Sequence, residues 1–132
     1  MKRIHVILMA LLSLTVLADN EKLSLNNGQK WLANEETHVG MTEIETLVDQ
    51  AGTLTHEILV AKLEKQIQTI ITKCSMKGES HDQLHKVLHP IITKVGALKE
   101  AATSEDQKAI LENLKHLTKT YFTYFKYAKD HR

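Results

Sequence analysis

The sequence predicts an all-α fold: an antiparallel up-and-down four-helix bundle with a short extended segment before it. Two observations carry that expectation. From residue 37 onward, apolar residues recur at steps of three and four, the period of an amphipathic helix. The 132 residues hold only one Pro and five Gly, so few breaks separate those stretches, and the short connections make neighbouring helices antiparallel. The length allows one domain. The net charge of +1, without a basic block, provides no footprint for tracking phosphates, so nucleic acid is not an expected partner.

Residues 1–18 read as a cleaved signal peptide. Lys2 and Arg3 form a positive start, Ile4 to Leu17 an apolar run, and Val16-Leu17-Ala18 a small or apolar exit before Asp19. The run is shorter than the roughly 20 residues that span a bilayer, and no second apolar stretch of spanning length follows it. The mature chain is therefore expected to be soluble, not membrane-spanning, and periplasmic or secreted. Without Lys2 and Arg3, 15 basic side chains face 16 acidic ones.

Residues 19–36 are a polar extension with an Asn27-Gly28 turn signal, which could lay Trp31 on the body. Residues 37–132 are the expected bundle. The first helix starts near Thr37, with Met41, Ile44, Leu47, Val48 and Ala51 on one face. The second opens around Thr53 to Thr55, carries Leu59, Leu63, Ile67, Ile70 and Cys74, and stops at Gly78, which tolerates a left-handed backbone. The third begins with a Ser80–Gln83 capping box and continues through Leu84, Leu88, Ile91, Val95 and Leu98. Pro90 should kink it or divide it after His89. The fourth starts at Ser104 with a second capping box to Gln107, and runs through Ile110, Leu114, Leu117, Tyr121 and Tyr124.

Up-and-down topology brings the start of the first helix, the end of the second, the start of the third and the end of the fourth to one pole. The distinctive residues gather there: His38, Met41, Cys74, Met76, His81, His85 and five of the six aromatics, at Tyr121, Phe122, Tyr124, Phe125 and Tyr127. An unpaired cysteine in an exported chain needs burial, an intermolecular bridge or a metal. His81 and His85 are i and i+4 on one helical face, read as pointing inward with Leu88 and Ile92. Met76 can join them only if the second helix unwinds before Gly78.

One thiolate, one thioether and two imidazoles form the ligand set of cupredoxin-like mononuclear copper sites, and soft sulfur selects copper over hard cations. The expectation is one copper ion held by Cys74, Met76, His81 and His85, for electron transfer or copper handling with a redox or copper-transfer partner. His38 and His89 are reserves, His89 as an outer supporting group. Asp82 either orients an imidazole or favours the helix dipole. Taken singly, each of the four candidate ligands reads as ordinary packing or a helix-start polar residue.

Met41 near the start of the first helix, Leu114-Lys115, and the ending Tyr121-Phe122-Thr123-Tyr124-Phe125-Lys126-Tyr127 carry a family resemblance. On these, residues 37–127 resemble the soluble periplasmic four-helix-bundle cytochrome b family. The resemblance implies haem b held by a first-helix Met, matched by Met41, and by a His late in the last helix, where this chain has Phe122. No Cys-x-x-Cys-His is present for covalent haem. The Asn-Gly, Trp and Cys-x-Met-x-Gly-x-x-His elements also resemble small exported bacterial proteins of unassigned role. Haem bound by Met41 with His81 or His85, and a metal-free structural or interaction module, are the alternatives to copper. An enzyme is not expected, since paired catalytic carboxylates, a phosphate loop and a nucleophile elbow are missing from the sequence.

Overall fold

The computed structural model describes residues 22–127 and 129. The signal peptide expected at residues 1–18 lies outside them. Four helices make the bundle: α1 (Glu35–Asp49), α2 (His56–Lys73), α3 (Gly78–Glu100) and α4 (Ser104–Tyr124). Helix α1 packs on α2 and α4, and α3 on α4 and α2, so the four close into a ring. Among the described residues, no helix is long and apolar enough to cross a membrane.

The apolar stripes read from the sequence face the centre of this ring. Met41, Ile44, Leu63, Ile70, Leu84, Ile91, Leu98, Leu114 and Tyr121 are fully buried, each such large side chain contributing about 1.5–3 kcal/mol. Gly40 lets α1 and α2 approach closely: a Cβ there would meet Ile70 Cγ1 at 2.5 Å.

The helix ends differ in detail from their sequence signals. Asn34 precedes α1, its Oδ1 accepting from the Thr37 hydroxyl at 2.6 Å, so the helix opens two residues earlier than Thr37. Thr55 Oγ1 caps α2, accepting from the Ile58 N–H at 3.3 Å, where the sequence placed the opening. For α4 the cap is Thr103, one residue before Ser104, accepting from the Asp106 N–H at 3.1 Å. The Ser80–Gln83 box does not form. Helix α3 starts at Gly78, Ser80 donates to the Lys77 carbonyl, and the Gln83 side chain turns inward to accept from the Ser24 N–H at 3.0 Å.

Pro90 does not divide α3, which runs unbroken from Gly78 to Glu100. A proline forfeits one helical hydrogen bond, but Val87, Leu88 and Ile91 around it are buried and keep both halves on the core.

The chain is not helical to its end. Phe125–Tyr127 form β2, which pairs in parallel with β1 (Trp31–Ala33), Trp31 opposite Phe125 and Ala33 opposite Tyr127. Ahead of β1, Asn27 and Gly28 both take positive φ, 52° and 81°, between bridged Asn26 and Gln29, as the Asn-Gly signal predicts. Trp31 is laid on the body, its indole N–H donating to the Ser24 carbonyl at 2.7 Å. This small sheet closes the pole at which the chemically distinctive residues sit.

Candidate metal centre

Helix α2 stops at Lys73, five residues short of Gly78. Two interactions fix its end: the Cys74 N–H donates to the Ile70 carbonyl at 3.0 Å, and the Lys73 carbonyl accepts from Asn34 Nδ2 at 3.2 Å. With that carbonyl taken by a side chain of the neighbouring element, the backbone leaves the helix at Cys74 in an extended conformation. Gly78, at φ +66°, then turns the chain into α3, where a side chain would be strained.

Helix α3 presents His81, His85 and His89 one turn apart along one side. With Cys74 they line an open groove between α2 and α3, about 400 Å³ in volume, floored by Ile70, Leu84, Leu88 and Ile92 and edged by Ile71. The His81 and His85 ring centres are 4.2 Å apart, and those of His85 and His89 5.3 Å. Three of the four predicted ligands, Cys74, His81 and His85, are thus brought to one groove.

Met76 is not. It is half-buried against the core and does not line the groove, although the helix has unwound ahead of it as its participation required. The histidine face also differs from its reading. His81 and Cys74 are half-buried, whereas His85 and His89 are exposed, so the imidazoles edge the groove rather than enter the core. Among the described residues, no three His, Cys, Asp or Glu side chains are gathered as a ready cage for a metal ion.

The electrostatics at His85 favour neutral imidazole, the form that binds metals. Partial desolvation, then the neighbouring His81 and His89, hold His85 below the ordinary histidine value of 6.5, while Asp82 opposes them.

Of the reserve residues, His89 lines the groove and His38 lies elsewhere. His38 Nδ1 is 3.1 Å from the Tyr121 hydroxyl, and the His38 ring packs against Phe122 and Tyr127, in the aromatic cluster at the pole. Tyr121 is fully buried and stacked on Phe125 at 5.0 Å. Burial and, secondarily, the nearby Cys74 charge push its hydroxyl far above the ordinary tyrosine value. Tyr121 therefore keeps its proton between the histidine and the cysteine. Met41 is fully enclosed in the core.

Sequence reasoning missed the direct place of His89 in the groove wall, although its i+4 step from His85 signalled it. It also missed Gly40, whose close approach seats Ile70 in the groove floor. No family model, curated protein or solved structure matches the chain.

Proposed function

We propose that this protein binds one copper ion in the groove between α2 and α3 and serves to carry copper outside the cytoplasm. The observation that supports the reading is the meeting of Cys74, His81 and His85 along one groove. Cys74 supplies the thiolate that selects a soft ion, and His81 and His85 supply nitrogen donors. Met76 completes the set as a weak sulfur donor when the Cys74–Lys77 link shifts, a movement that breaks no helix.

Openness favours carriage over electron transfer. A redox copper site gains from a rigid, dry shell, but here His85 is exposed and the groove faces solvent. An ion so placed is accessible to a copper-transfer partner. Haem is less well supported, because Met41 is enclosed in the core and lines no part of the groove.

The test is Cu(I) titration against a colorimetric chelator under reducing conditions, on the wild type and on Cys74→Ser. One copper per chain, lost in Cys74→Ser, is the expected result. Equal binding by both proteins, or a Soret band on purification, would replace this reading.

A further inference from the structure

The row of histidines extends past the thiolate end of the groove. His89 and His85 are both exposed, their ring centres are 5.3 Å apart, and among the described residues neither has a hydrogen bond or ion pair that metal binding would have to break. Both line the groove, beside Leu88 and Ile92 of its floor.

The two spacings in the row set different bite angles. An imidazole nitrogen lies about 2.0 Å from a bound first-row ion, so each ring centre is about 3.2 Å from it. Where both rings turn a nitrogen toward one ion, centres 5.3 Å apart subtend about 110° at it. The 4.2 Å pair of His81 and His85 would subtend about 80°, close to the right angle between neighbouring ligands of a square-planar ion, but His81 is half-buried, whereas His85 and His89 are both exposed to an ion arriving from solvent.

We propose that His85 and His89 form a second metal site, a bidentate pair of imidazoles at the mouth of the groove that takes a divalent first-row ion and completes its coordination with water. Two imidazoles without sulfur suit Cu(II), Ni(II) or Zn(II), unlike the thiolate end. This site goes beyond the copper reading and requires no ligation by Cys74. Because His85 belongs to both sites, an ion at the mouth shares a donor with the inner site.

The test uses Cu(II) as probe on the Cys74→Ser chain, where no thiol competes for the ion or reduces it. Paramagnetic resonance should show nitrogen coordination, and His85→Ala or His89→Ala should weaken binding about tenfold or more. His81→Ala and the distant His116→Ala should leave it unchanged. Unaltered binding in His89→Ala, or loss in His81→Ala, would overturn the proposal, as would no binding at all. Circular dichroism identifies any variant that fails to fold, and His89→Gln then provides a second test of the same ligand, with the same weakening expected. Cu(I) binding that depends on Cys74 is measured separately, so the inner and outer sites can fail independently.

Discussion

The His85 ring lies 4.2 Å from that of His81 and 5.3 Å from that of His89, and partial desolvation together with this crowding has a consequence for stability. With its value lowered in the folded chain, His85 takes up a proton more readily when unfolded. Its contribution is therefore complete above the unfolded value of 6.5 and is lost as pH falls through 6.5 toward the folded value. The thermal midpoint of the metal-free protein should drop on acidification across this window, and the slope should be shallower in His85→Asn. Identical slopes would remove His85 from the account.

Cys74 is half-buried at the end of α2, where its sulfur fills modest space. Cys74→Ser should cost less than about 1.5 kcal/mol in the metal-free protein, yet abolish the stabilisation that Cu(I) provides. Chemical denaturation with and without Cu(I) measures both effects. A variant still stabilised by Cu(I) would show that the thiolate is dispensable.

Gly40 faces Ile70, and a methyl group there would come within 2.5 Å of Ile70 Cγ1 and 2.8 Å of Cδ1. Ile70 is fully buried and cannot swing into solvent. Gly40→Ala should destabilise the bundle by about 1–3 kcal/mol through overpacking, despite alanine's better helix propensity. A urea midpoint at or above that of the wild type would contradict the packing described.

Gln83 holds the amino-terminal extension by way of Ser24, whose N–H it accepts and whose carbonyl receives the Trp31 indole N–H. Gln83→Ala should loosen this clip at a cost of about 1 kcal/mol and shift the emission of Trp31, the single tryptophan, to the red. Unchanged emission would mean that β1 holds Trp31 without it.

The four helices were legible because their apolar residues repeat at three and four, and local sequence is enough to fix that period. What escaped depends on residues far apart. Phe125-Lys126-Tyr127 continues the helical pattern of α4 on its own and becomes a strand through pairing with Trp31–Ala33. Ser80 and Gln83 have capping-box spacing, but the hydrogen-bond partner of Gln83 is Ser24, 59 residues earlier. In the candidate site, the i+4 step placed His81 and His85 together, and Cys74 follows from the helical stripe. Met76 falls outside because spacing cannot specify the course of an extended link.

X-ray absorption at the copper edge of the Cu(I)-loaded protein tests the central claim most directly, since it reads the atoms bound to the ion. The wild type should show a thiolate sulfur and two imidazole nitrogens, with a second, weaker sulfur from Met76, and Cys74→Ser should retain no stoichiometric copper. A wild-type spectrum with nitrogen and oxygen neighbours alone would contradict a thiolate copper site in this groove.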